Sequence, residues 1–329
     1  MISVSRSIFA ALAALCVVLG FAACGSDSGS KSSSTPAASS PKETKESKAI
    51  TSDPANAGKG TITVGSKNFI EQFILGELYA QTLEAQGFKI RRRLNLGSEQ
   101  VAYKALRSGN IDAYPEYTGT ALTSFFKVKT KDVPPDADAA YEQAKKEYAA
   151  VGITALPRTP FENTYIIAST KKTAAAEGNP KTVTELMTKN PNLSISGFPE
   201  CRQRQDCLLG LRDTYGYKGK FVSSQGKFSD LDSGQAKLAL VFSTDPQLAL
   251  GKYTAYEDDK KFFPPYNITL GLKDETVAKL GPKAIKTIEQ VQAGLTNEAM
   301  QELNRRVDLD KKKPKEVAAA YLSESGFVK

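Results

Sequence analysis

Histidine and tryptophan are both absent from the 329 residues, and cysteine occurs only four times. Without an imidazole there is no Ser-His-Asp triad, no histidine general base and no histidine ligand for zinc. GSKNF (65–69) lacks the spacing of a phosphate-cradling Walker loop. No pair of carboxylates stands out for acid–base hydrolysis, and Glu116 reads as a surface or supporting acid. These absences turn the reading away from metal, nucleotide and hydrolytic chemistry, so no metal, no cofactor and no enzyme activity are expected. The net charge is +8, but the basic residues are scattered. RRR (91–93) and KKK (311–313) read as solvated faces, and no nucleic-acid partner is expected.

Long apolar runs are also scarce. IFAALAALCVVLGF (8–21) has fourteen residues, too few for a comfortable membrane span and suited to a signal-peptide core. It ends in FAAC, small residues directly before Cys24. Residues 1–23 are therefore expected to be a lipoprotein signal and Cys24 a lipidated terminus, which would hold the chain at the outer face of the cytoplasmic membrane. Residues 24–60 are rich in Ser, Ala, Pro, Lys and Gly and contain no aromatic residue, so a disordered tether is expected there. About 35 flexible residues reach roughly 30–35 Å. Cys201 and Cys207 are left, and in an oxidising compartment they are expected to form a short-loop disulfide.

What is abundant is tyrosine, thirteen in all, set within alternating strand and helix patterns. TITVGS (61–66) reads as a strand. Asn68 and Glu71 read as a capping box for a helix closed by Gly87. FKIRRRLNL (88–96) is a second strand, Ser98 opens a helix that Gly109 closes, and IDAY (111–114) is a third strand. This is β-α-β-α-β, the pattern of a parallel sheet covered by helices. Further strands are expected near 153–156, 164–169, 193–196, 220–224, 238–243 and 266–272, followed by a helical tail over 274–325. The expected fold class is α/β in two lobes joined by a two-segment hinge. Lobe 1 comprises 61–162 plus 267–329, and lobe 2 comprises 163–266.

Open α/β sheets bind ligands beyond the carboxyl ends of their strands. There the sequence places Lys67, Tyr114, Tyr117, Thr118, Thr120, Tyr165, Phe242, Thr244 and Tyr266, with Arg202 and Arg204 between the paired cysteines. Rings together with cationic donors imply a ligand with two unlike ends. A quaternary ammonium donates no hydrogen bond but is attracted to aromatic faces, at roughly 0.5–2 kcal/mol per desolvated ring. A carboxylate at the other end suits arginine and lysine. Tyr114 alternates away from Tyr117 and reads as packing.

GSKNFIEQFILGELYAQTLE (65–84), EYTGTAL (116–122), FENTY (161–165), FSTD (242–245) and DDKKFFPPYN (258–267) closely resemble, in the same order, the osmoprotectant substrate-binding proteins of ABC importers. The resemblance covers about 61–329. It implies a type II periplasmic-binding fold, a quaternary-ammonium or zwitterionic ligand such as glycine betaine or choline, an ABC permease as membrane partner, and a monomer. Carried over by position, the aromatic box would be Tyr117, Tyr165, Phe242 and Tyr266. The carboxylate anchors would be Lys67, Thr120 and Arg204, with Asn163 and Glu200 beside them. Phe242 stands where the family usually has tyrosine, and the choice of Arg204 over Arg202 is open on sequence. An aromatic or polyphenolic ligand stacked on the same rings is the alternative reading.

Overall fold

A computed structural model describes residues 48–329. The expected signal segment, Cys24 and the expected tether up to residue 47 lie outside the described residues. Ten strands form two sheets of five: β1 Thr61–Gly65, β2 Lys89–Arg93, β3 Ala113–Tyr117, β4 Ile153–Ala155, β5 Tyr165–Thr170, β6 Ile195–Gly197, β7 Phe221–Ser223, β8 Leu238–Phe242, β9 Tyr253–Tyr256 and β10 Ile268–Lys273. The first sheet has the order β2-β1-β3-β10-β4, and the second β7-β6-β8-β5-β9. In each, three strands run parallel and one antiparallel strand joins the fourth: β10 between β3 and β4, and β5 between β8 and β9. The chain is a two-lobed α/β protein.

Local chemistry explains most element ends. Ser98 caps Glu99–Arg107 through Val101, Asp136 caps Ala137–Ala149 through Ala139, and Thr182 caps Val183–Lys189 through Glu185. The tail divides into Asp274–Ala293, kinked at Gly281 and Pro282, then Asn297–Asp308 and Pro314–Glu324. All three pack on the helix Ile70–Ala85 of the first lobe.

The chain passes between the sheets twice, after β4 and before β10. The two passages are tied together. Asn163 N–H donates to the Tyr266 carbonyl at 3.1 Å. The Asn267 side chain donates to the carbonyls of Thr159 (3.2 Å) and Phe161 (3.0 Å). Motion of one lobe against the other must bend both passages together.

Three expectations need correction. Residues 48–60, assigned to the tether, pack on the body: Ile50 N–H bonds the Phe327 carbonyl at 2.8 Å, and the buried Asn56 bonds the Gln86 carbonyl at 2.8 Å. The third strand continues past Tyr114 to Tyr117, which pairs with Ile268 of β10. A strand at 253–256 was not anticipated, because four residues with no continuous buried face carry little periodic signal.

Candidate functional site

The nine residues of the expected box and anchor set border one cavity of about 460 Å³: Lys67, Tyr117, Thr120, Asn163, Tyr165, Glu200, Arg204, Phe242 and Tyr266; Thr244 joins them, whereas Tyr114, Thr118 and Arg202 lie outside its lining. They come from both sheets and both passages. Lys67 follows β1, Tyr117 ends β3, and Thr120 lies on the helical turn Thr118–Thr120. Tyr165 opens β5 and pairs directly with Phe242 at the end of β8, so register alone sets these two rings side by side.

Tyr165 is the middle of the ring cluster. Its centroid lies 5.1 Å from Tyr266, 5.4 Å from Phe263, 5.5 Å from Phe242 and 5.7 Å from Phe198. Phe69 bridges the remaining gap, 6.0 Å from Tyr117 and 5.9 Å from Phe242. Sequence reasoning missed Phe69 and Phe198. Both sit just past a strand's carboxyl end, the signal that could have found them. Gly119 gives two segments of the site room to approach each other. A Cβ there would lie 2.7 Å from the Pro265 carbonyl oxygen and 2.9 Å from the Tyr266 ring, so its bareness lets the two lie close.

The ring faces already meet cations within the chain. Lys67 Nζ is 4.3 Å from the Tyr117 centroid, and Lys227 Nζ is 4.8 Å from Phe242. The Arg204 guanidinium lies 5.9 Å from both Tyr165 and Phe198. Arg202 lies over Phe221 instead and does not border the cavity. Arg204 is the arginine of the cleft.

Each cation is matched by a buried carboxylate. Lys67 pairs with Glu116, which is fully buried rather than on the surface, and which also accepts from Tyr117 N–H (2.7 Å) and the Tyr114 hydroxyl (3.2 Å). Burial pushes the Glu116 carboxyl up and the Lys67 ammonium down, and their mutual attraction opposes both shifts. Arg204 grips Asp206 with Nε (2.8 Å) and Nη2 (2.5 Å), and Nη2 lies 3.3 Å from Thr120 Oγ1. Burial alone would raise Asp206, but the guanidinium overrides it and holds the carboxyl below its ordinary range.

Glu71 has no capping role. Phe69 occupies the N-cap and makes no side-chain bond there. The Glu71 carboxylate turns into the cleft and accepts four hydrogen bonds, from Tyr117 Oη (2.8 Å), Asn163 Nδ2 (2.8 Å), Thr244 Oγ1 (2.6 Å) and Asn304 Nδ2 (2.9 Å). Burial raises its proton affinity, and the four donors oppose that shift.

The family model for the substrate-binding domain of the ABC-type glycine betaine transport system matches residues 60–324. The chain belongs to this family. The glycine-betaine-binding protein of Pseudomonas aeruginosa is 30% identical over 281 residues, covering 80% of this chain and 88% of that one. The ergothioneine transport permease/binding protein EgtU of Helicobacter pylori is 29% identical over 271 residues, covering 81% of this chain. The chain spans about half the length of that protein, 48%. A crystal structure of a glycine betaine/carnitine/choline ABC transporter protein superposes with a TM-score of 0.65 at 24% identity, over 80% of this chain and 98% of that one. The protein is thus a substrate-binding protein of the ABC-transport type, not an enzyme. Among the described residues no helix is long and apolar enough to cross a membrane.

The loop that carries Arg204 and Asp206 is closed by a bond between Cys201 and Cys207, both buried. Removing the bond frees a short loop, worth roughly 2 kcal/mol in unfolded-chain entropy. The double change Cys201→Ala, Cys207→Ala is therefore expected to lower unfolding free energy by about 2 kcal/mol and weaken ligand binding about five-fold or more. Denaturant unfolding and titration calorimetry check the two effects. Unchanged affinity would mean that the loop holds its anchors without the bond.

Proposed function

We propose that this protein captures a quaternary-ammonium osmolyte of the glycine betaine, carnitine or choline class in the cleft and delivers it to an ABC permease. Tyr117, Tyr165, Phe242 and Tyr266 would box the methylated nitrogen. Lys67, Thr120 and Arg204 would meet a carboxylate or hydroxyl at the other end, with Asn163 and Glu200 alongside. Lobe 1, 61–162 plus 267–329, and lobe 2, 163–266, would close about the two passages. Lipidation at Cys24 would hold the protein, as a monomer, outside the cytoplasmic membrane. The observation that carries the reading is the convergence of four predicted rings and two predicted cations, from both sheets, on one cavity. Relatives that bind ergothioneine, glycine betaine and carnitine support the same ligand class.

Three or four ring faces at roughly 0.5–2 kcal/mol each outweigh the hydration that polar side chains could replace only poorly. Calorimetric titration with glycine betaine, carnitine, choline and ergothioneine tests the reading, beside 3,3-dimethylbutanol, which has choline's shape without its charge. At least one methylated ammonium should bind in the micromolar range or tighter, and the neutral isostere at least a hundred-fold more weakly, about 2.7 kcal/mol. Absence of binding by every methylated amine would overturn it.

A further inference from the structure

Two buried carboxylates, Glu71 and Asp206, are each bonded from both lobes in a similar arrangement. Glu71 belongs to the first lobe. It holds the hydroxyl of its own lobe's Tyr117 and also accepts from Thr244, which follows β8 of the second sheet, at 2.6 Å. Asp206 belongs to the second lobe. It holds the Tyr266 hydroxyl on the returning passage at 2.7 Å and also meets Thr123 Oγ1, beyond β3 of the first sheet, at 3.0 Å, a hydroxyl whose one proton is shared with the Gly119 carbonyl at 2.8 Å. Each carboxylate thus fixes one ring of the cavity and receives one threonine hydroxyl from the opposite lobe.

We propose that Glu71 and Asp206 are reciprocal closure latches that make the orientation of the cavity's tyrosines conditional on the two lobes being together. The inference rests on the reading of the cleft as one that closes. A carboxylate has about four acceptor sites, and Glu71 fills all four with neutral donors. When the lobes part, Thr244 leaves Glu71 and Thr123 leaves Asp206. Each carboxylate then has an open site that water must fill beside aromatic walls. Hydrogen bonds to a charged group are stronger than neutral ones, and a buried acceptor without its partner is costly. The closed form therefore gains the Thr244–Glu71 bond and a share of the Thr123 proton on Asp206 at the moment its ring geometry is completed. A ligand held by the rings shifts the lobes only by its differential affinity, and the latches supply part of that difference.

Thr244→Val removes only a crossing donor, and Thr123→Val removes one that also bonds the Gly119 carbonyl; both leave rings and carboxylates in place. Small-angle scattering of the full chain without added ligand should show each variant more open than the wild type. Titration with glycine betaine and with choline should show each weakened about ten-fold, because apparent affinity falls with the closed fraction. Thr244→Ser and Thr123→Ser keep the hydroxyl and should match the wild type within about two-fold. Either threonine alone carries the test should the other valine variant not fold. A double valine variant that scatters like the wild type, or opens with unchanged affinity, overturns the proposal. The scattering arm needs no ligand. If the wild type binds neither probe while the valine variants open, the ligand reading falls and the latches stand.

Discussion

Replacing Tyr165 by alanine is expected to weaken binding of a quaternary-ammonium ligand at least a hundred-fold, about 2.7 kcal/mol. The size follows from its place. Four rings lie within 5.1–5.7 Å of its centroid, and the ring is only 7% exposed. Its loss removes one face from the cation and also the wall against which Tyr266 and Phe242 are set. Truncation of a ring in a desolvated cluster typically costs 2 kcal/mol or more in binding, beside about 3–5 kcal/mol in folding stability for a large-to-alanine change. Tyr165→Phe separates these contributions. It keeps the face and the packing, so affinity should stay within about three-fold of the wild type. The two variants are compared by calorimetry under conditions where both are folded, established by thermal melting. A loss of less than about five-fold in Tyr165→Ala would remove this ring from the recognition of the ligand.

The asymmetry between what could and could not be read beforehand has a physical pattern. Strands with a strong apolar run and helices with a side-chain cap were legible, because those signals are local. Ser98 caps the helix it was expected to open, and Asp136 and Thr182 cap theirs by the same local chemistry. The side-by-side rings were legible only through the family resemblance, since Tyr165 and Phe242 are 77 positions apart and meet through antiparallel pairing of β5 with β8. The carboxylates were misread or missed. Asn68 and Glu71 satisfy the local capping rule, but Glu71 finds partners 46, 92, 173 and 233 positions away. Those four bonds outweigh one local cap. Glu116 follows a proline and precedes a turn, so it reads as either a surface or a supporting acid, with no local signal to choose between them. In the structure Lys67 and the Tyr117 N–H draw it inside. Asp206, one residue before a cysteine, gave no signal of its own. A buried acid is visible only together with its donors.

Arg204→Ala is expected to cost glycine betaine about a thousand-fold, 4.1 kcal/mol, and choline far less, about ten-fold. The common part of the loss comes from Asp206. Without the guanidinium its carboxylate stays fully buried with only the hydroxyls of Tyr266 and Thr123 as donors. Breaking one side of a buried pair typically destabilises by about 3–5 kcal/mol. That penalty loosens Tyr266 for any ligand. The difference between the ligands reads the anchor role, since choline has no carboxylate to lose. Arg204→Ala combined with Asp206→Asn sharpens the test, because asparagine removes the stranded charge while keeping the size. Choline affinity should then recover most of its loss, whereas betaine should remain weakened at least a hundred-fold. Equal losses for the two ligands in the single variant, or equal recovery in the double, would mean that Arg204 serves only to hold Asp206. The carboxylate would then have to be met by Lys67 and Thr120 alone, and Lys67 is already paired with Glu116.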